Sequence, residues 1–213
     1  MDDKEEIVSK GYDAYDAGDY VTAKVLFELA AERGYPKAQN ALGNLYTRDD
    51  YSEKDDQKAL EYYLMAADLG YINGLLNAGT LYYRGGENIE KDYEKALEYF
   101  ELCADHGSGA ALNFLGIMYE LGYGVEQSAE KAFEYFQASA DKGDLIGMSN
   151  LGDCYFHGIG VEQSYEKAAE YYLPASAGGV GRATNNLGDM YETGHFLEQS
   201  YEKAMEYYQL AVE

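Results

Sequence analysis

At 213 residues, with 16 basic against 39 acidic side chains and a formal net charge of −23, the chain is long enough for one or two domains. That balance argues against nucleic acid as a partner, because such binding rests on Lys and Arg displacing counterions, and it disfavours anionic membrane surfaces. An apolar content of 46% is too high for a disordered acidic tail. No stretch approaches the roughly 18 apolar residues of a membrane span.

The amino terminus, MDDKEE, is acidic where a secretory leader is basic and then apolar, so cytoplasmic residence is expected; a secreted chain after removal of its leader would carry the same residues. Two cysteines are too few for a disulfide framework. The stretch "GYDAYDAGDYVTAKVLFELA" then opens a periodic pattern. Its Ala23 begins a series continued by Ala59, Ala96, Ala132, Ala168 and Ala204, at spacings of 36, 36, 37, 36 and 36. A second landmark, in "ALGNLY", "NAGTLYY", "FLGIMYE", "LGDCYF" and "LGDMYE", places glycine at 43, 79, 116, 152 and 188. Each alanine precedes the next glycine by 20 residues, whereas each glycine precedes its own alanine by 16, 17, 16, 16 and 16. A joint of fixed length therefore alternates with a loop that accepts insertion, as in stacked repeats.

Both segments of the repeat have helical period. In the third copy the first segment places Ala111, Leu115, Met118 and Tyr119 on one face. The second segment opens on Asp55, Asp92, Ser128, Ser164 or Ser200 as N-cap, with Glu94, Glu130, Glu166 and Glu202 in the first turn where negative charge suits the helix dipole. It closes at Gly34, Gly70, Gly107, Gly143 and Gly179, positions suited to a left-handed cap. Each unit is then a helical hairpin unable to bury its apolar stripe without a neighbour. The repeated alanine and glycine are expected at close helix crossings, and the aromatic four after the alanine (Phe27, Tyr63, Phe100, Phe136, Tyr172, Tyr208) in the space between hairpins.

Several local patterns call for a decision between chemistry and architecture. Cys103-x-x-His106 and Cys154-x-x-His157 have helical spacing, but Cys103 holds a small-residue slot of the repeat and Cys154 a core slot, so neither is assigned to zinc. "GYGVEQ" and "GIGVEQ" follow helices rather than strands, so their glycines are expected to stop helices and not to hold phosphate. "RDDYSEKDD" (48–56) lacks the spacing of a calcium loop and is expected to be a solvated loop with Asp55 as cap. No nucleophile stands beside a histidine, and no enzyme activity, metal or cofactor is expected. Pro174 falls inside a second helix, which predicts a kink or an early end near Leu173. The last copy would reach its closing glycine at position 215, beyond Glu213. An uncapped carboxyl-terminal face, open to end-to-end self-association, is therefore expected.

With Leu-Gly-x-x-Tyr, a Gly-x-Gly-Val loop, Lys-Ala-x-x-Tyr-Tyr and a 36-residue period, the chain resembles the Sel1-like repeat family over residues 36–213, as five copies. Residues 1–35, where the spacing from Gly11 to Ala23 is only 12, look like a tetratricopeptide repeat. The resemblance implies an all-α fold, a right-handed α-solenoid of stacked antiparallel hairpins forming one domain over 1–213. It implies an adaptor or scaffold for other proteins, without catalytic residues. Some family members carry a cysteine pair joining the helices of each repeat; the matching positions in the third joint are Ala104 and Leu112.

In such stacks the first helices line the concave side. Lys37, Asn40, Asn44 and Arg48, then Asn73, Tyr83 and Arg84, then Asn113, fall on the face left free by the core stripe. Three of the four arginines land there: Arg48, Arg84 and Arg182. Asn can pair with both groups of an extended peptide backbone, and Arg can hold a carboxylate through two bonds. The expected function is a protein-protein interaction scaffold binding a peptide or protein surface in this groove. A carbohydrate or cell-wall fragment receptor is the alternative, with Tyr83 beside amides suited to stacking on sugar rings. A structural spacer is the third reading.

Overall fold

The apolar stripes and polar caps give twelve α-helices among the described residues, 3–212, of a computed structural model; no strand forms there beyond an isolated bridge between Gly86 and Ile89. The chain falls into two compact units, Met1–His106 and Gly107–Glu213. The first holds the hairpins α1 (Asp3–Asp16)/α2 (Tyr20–Ala31), α3 (Pro36–Tyr46)/α4 (Asp56–Asp68) and α5 (Ile72–Arg84)/α6 (Tyr93–Asp105). The second holds α7 (Gly109–Leu121)/α8 (Ala129–Asp141), α9 (Leu145–His157)/α10 (Tyr165–Ala177) and α11 (Gly181–Thr193)/α12 (Tyr201–Leu210). The architecture is the all-α hairpin stack expected of a solenoid. Glu213, and with it the expected carboxyl-terminal boundary, lies outside the described residues.

The second helices start where their caps require. Ser128 accepts from the Lys131 amide at 3.2 Å, Ser164 from Lys167 and Ser200 from Lys203 at 3.3 Å, and Asp92 from Lys95 at 3.0 Å. Each such cap stabilises a helix by about 1 kcal/mol. The turns into the next first helix are three residues long at 142–144 and 178–180, where Gly143 and Gly179 adopt φ of 82° and 87°. That left-handed geometry needs glycine.

The repeated glycine and aromatic meet directly. A Cβ placed on Gly116 would lie 2.5 Å from ring carbons of Phe136; on Gly152 and Gly188 it would lie 2.5 Å from the rings of Tyr172 and Tyr208. Gly11 and Phe27, Gly43 and Tyr63, and Gly79 and Phe100 repeat the contact. The aromatic thus packs onto the first helix of its own hairpin, and the glycine is the seat it occupies. Phe27, Phe100, Phe136 and Tyr172 are almost wholly buried there.

The Lys and the second aromatic of the recurring phrase have their own joint. Lys131 lies over the Tyr119 ring at 4.8 Å from its centroid, and that ring stacks with Tyr135 at 5.3 Å and 12°. Lys167, Tyr155 and Tyr171 repeat this, as do Lys203, Tyr191 and Tyr207, Lys95, Tyr82 and Tyr99, and Lys58, Tyr46 and Tyr62. A cation over a tyrosine face contributes about 0.5–1 kcal/mol at exposed sites. So "SxEKAxEYY" encodes cap, cation, buried alanine and two differently used rings.

Two local expectations are corrected. The acidic loop 47–55 is anchored and not merely solvated: Tyr51 is buried, with edge contacts to Tyr20 and Tyr46, both at 5.9 Å. Glu53 reaches back to Lys24 at 2.6 Å, and Asp50 accepts from the Tyr20 hydroxyl at 2.7 Å. Helix α10 does not end early at Leu173; it runs through Pro174 to Ala177, and Gly178 caps it by donating to the Pro174 carbonyl. Glu170, whose carbonyl Pro174 leaves without an amide, lies with Leu173 and Pro174 on the exposed face. Water can take the vacated acceptor there, which removes much of the penalty proline carries in a buried helix.

Candidate functional site

The first helices carry their polar side chains in rows that pass from one hairpin to the next within each unit. In the first unit, the Asn77 amide of α5 donates to Asn40 Oδ1 at 2.8 Å and to Asn44 Oδ1 at 3.3 Å, both on α3. The Tyr63 hydroxyl of α4 donates to the same Asn44 oxygen at 2.9 Å. In the second unit, Asn150 of α9 donates to Asn113 Oδ1 of α7 at 2.6 Å. Asp153 Oδ1 accepts from Tyr172 of α10 and Asn186 of α11, both at 2.7 Å. Arg182 of α11 donates to Asn150 Oδ1 and stands 3.3 Å from Asp153 Oδ2.

This geometry revises the expected face residue by residue. Asn40 and Asn113 do not project freely; each is only 5% exposed and joins its helix to the next first helix. A first helix packs between neighbours on both sides, so its buried arc is wider than the core stripe of a single hairpin suggests. Asn44 is half-buried and held by two donors. Asn73 is exposed near the start of α5 and donates to the Tyr71 hydroxyl at 3.3 Å. Lys37 is exposed, with its ammonium over the Tyr12 ring at 5.7 Å.

The arginines are less available than their scarcity implied. Arg48 forms a fork with Asp50, Nε to Oδ1 and Nη2 to Oδ2 both at 2.7 Å, and donates to the Tyr15 hydroxyl at 3.2 Å. Its guanidinium lies over the rings of Tyr15 and Tyr20, 4.9 Å from each centroid. The fork, with the Tyr20 hydroxyl, holds the Asp50 carboxyl well below the usual carboxylate range. Arg84 is looser: its Nη2 is 3.9 Å from Asp56 Oδ1, too far for a hydrogen bond, and half of its side chain is exposed. Asp56 is itself buried and accepts the Glu87 amide at 2.7 Å through its other oxygen. Tyr83 packs edge-on to Tyr93 at 5.8 Å and tilted to Phe100 at 6.4 Å, so its ring belongs to the aromatic packing of its hairpin.

The second unit presents a different charge. Burial raises the carboxyl of Asp153 above its ordinary value in spite of its donors, and burial and then nearby Asp153 raise that of Glu120 on α7. Asp189 and Glu192 of α11 share the Tyr208 hydroxyl at 2.7 Å. Sequence reasoning passed over Asn77, Asn150 and Asn186. A signal was present, since Asn stands two residues before the landmark glycine in "NAG", "NLG" and "NLG" of three copies. Cys103 and Cys154 are both buried, which pushes their thiols up to about 11 and about 12; the Cys103 thiol donates to the Ile72 carbonyl at 3.6 Å. Among the described residues no helix is long and apolar enough to cross a membrane.

Comparison with known proteins places this geometry among relatives. The Sel1 repeat model matches residues 10–35, 36–71, 73–108, 109–144, 145–180 and 181–213. The short first hairpin, similar by its loop to a tetratricopeptide repeat, is thus matched from residue 10 as well. A Sel1 repeat protein from Oxalobacter formigenes has a similar crystal structure, with 28% identity and a TM-score of 0.87 over 99% of this chain and 87% of that one. The protective antigen c5321 of uropathogenic Escherichia coli gives 28% identity and 0.76 over 98% of this chain; the match spans only 45% of c5321. The immunity protein Pa5087 of Pseudomonas aeruginosa gives 25% identity and 0.63 over 89% of this chain and 72% of that one. No curated protein matches the sequence.

Proposed function

This chain belongs to the Sel1 repeat family, whose members are in general non-enzymatic scaffolds for protein-protein interaction, and from that premise we propose that its first helices form the face that receives a partner polypeptide. The observation that carries the reading is the pinned polar row. Asn44 and Asp153 are each half-buried and held by two donors from neighbouring helices. Groups fixed in this way lose little conformational entropy when a partner docks. The relative Pa5087, an immunity protein, is consistent with a stack of this kind acting on other macromolecules. Cytoplasmic residence belongs to the same proposal.

Each unit, taken by itself, suits a different partner charge. On the first, Lys37 and Arg84 are the cations open to a carboxylate; on the second, Glu120, Asp153, Asp189 and Glu192 favour Lys or Arg. Arg48 contributes less, because a partner carboxylate must first displace Asp50. The carbohydrate alternative loses its motive, since the Tyr83 ring is engaged by Tyr93 and Phe100.

A peptide library spanning acidic and basic extended sequences, titrated against the full chain, tests the reading. Removing one charge-assisted contact costs about 1.5–3 kcal/mol, roughly a ten- to hundredfold loss of affinity. Arg84→Ala should reach that range for an acidic peptide, Arg48→Ala should fall below it, and Glu134→Ala on α8 should change nothing. Binding of glycans but no peptide, unaffected by Arg84→Ala, would support the carbohydrate reading and overturn this one.

A further inference from the structure

The outward stripe of α2 departs from the rule that every other second helix obeys. Aligned on the crossing alanine, the positions two before, two after and six after it are Gln57, Glu61 and Met65 in α4, and Glu94, Glu98 and Leu102 in α6. They are Glu130, Glu134 and Ala138 in α8, Glu166, Glu170 and Pro174 in α10, and Glu202, Glu206 and Leu210 in α12. In α2 they are Val21, Val25 and Leu29, exposed by 76%, 58% and 39%. All three lie on one face, one turn apart. In a chain of net charge −23, this is the one second helix whose outward stripe carries neither an acid nor an amide at these positions.

We propose that α2 is a docking site, separate from the first-helix face, for an amphipathic helix of a partner protein whose apolar stripe is flanked by Lys or Arg. The apolar stripe supplies the contact area, and the charges around it select the occupant. Glu28 and Glu32 border the stripe and Asp19 stands at the amino end of the helix, while the one cation within α2, Lys24, is held by Glu53 at 2.6 Å. The rim is therefore acidic and complements a basic flank. A second copy of this chain fits poorly. Three side chains fall far short of the roughly 800 Å² per partner buried in a stable dimer, and copies this acidic repel one another.

The test uses the full chain, a synthetic Leu/Lys peptide with Leu at every third and fourth position, and the same peptide with Glu replacing Lys. The variant is Val21→Glu with Val25→Glu, which installs at exposed positions the residue that other copies of the repeat carry, so folding is preserved and an unchanged melting curve verifies it. The parent should bind the Leu/Lys peptide, and the variant at least tenfold more weakly, with the Leu/Glu peptide bound by neither. The added carboxylates make the readout decisive, because attraction by charge alone would strengthen binding in the variant. Equal or tighter binding by the variant, or no binding of the Leu/Lys peptide by the parent, overturns the proposal. So does a concentration-dependent dimer in sedimentation that the variant abolishes, since the occupant would then be a second copy.

Discussion

Replacing Gly116 by alanine separates two physical effects of opposite sign. Helix propensity alone favours the change by about 1 kcal/mol, since glycine in a helix interior is that much worse than alanine. The structure predicts the reverse. The new Cβ would sit 2.5 Å from both Cδ1 and Cε1 of Phe136, about 1 Å inside ordinary van der Waals contact. Phe136 is 1% exposed in the core of its unit, so the ring has no solvent into which to turn. Overpacking of this kind destabilises by about 1–3 kcal/mol, which leaves a net loss of up to about 2 kcal/mol after the propensity gain. For a chain of this size that lowers the melting temperature by up to about 8 °C. The assay is thermal melting by circular dichroism of Gly116→Ala, Phe136→Leu and the double variant. Because the methyl and the smaller side chain share one space, the double variant should be more stable than the sum of the single changes allows. A Gly116→Ala protein more stable than the parent, or strict additivity in the cycle, would refute the seat-and-ring account of the repeat.

Three further outcomes follow from other joints. Lys131→Ala should lower stability by about 0.5–1 kcal/mol, measured by urea denaturation, because its ammonium lies over the Tyr119 ring. Pro174→Ala should raise the melting temperature, since it restores an amide donor for the Glu170 carbonyl and relieves the ring clash with the preceding turn. Asp153→Asn should stabilise the protein at neutral pH, with the advantage shrinking as pH falls. The folded protein binds a proton at Asp153 more readily than the unfolded chain does, because burial raises its pKa. Stability from this group is therefore greatest in acid and declines as pH rises through the interval between the unfolded and the folded pKa. Urea midpoints of parent and variant at neutral and mildly acidic pH check the convergence.

The repeat itself was legible because one register had to satisfy several constraints together. Ser128, Ser164 and Ser200 cap the helices that their spacing announced. The alanine-to-glycine interval held at 20 residues because a turn such as 142–144 has no slack and both residues are buried. The candidate face was less legible. Asn40 and Asn113 obey the period of a free helix face, yet the next first helix covers that face, and one hairpin in isolation does not encode its neighbour's position. The anchoring of loop 47–55 was hidden because it depends on Tyr20 and Lys24, some thirty residues earlier, just as the Glu87 amide of the next loop reaches back to Asp56. The apolar stripe on α2 was readable from the alignment of copies. It escaped notice because the landmarks lie on the buried side of each helix.

The central claim, that partners are received on the first helices, is tested most directly by site-specific photo-cross-linking in lysate from the native organism. A photoreactive residue is placed singly at Thr80 or Asp189 on the first helices, and at Glu98 or Glu170 on the second. The account predicts that Thr80 and Asp189 capture a partner protein, lost when Arg84→Ala is combined with the Thr80 probe, while Glu98 and Glu170 capture none. Capture confined to Glu98 and Glu170 would contradict it.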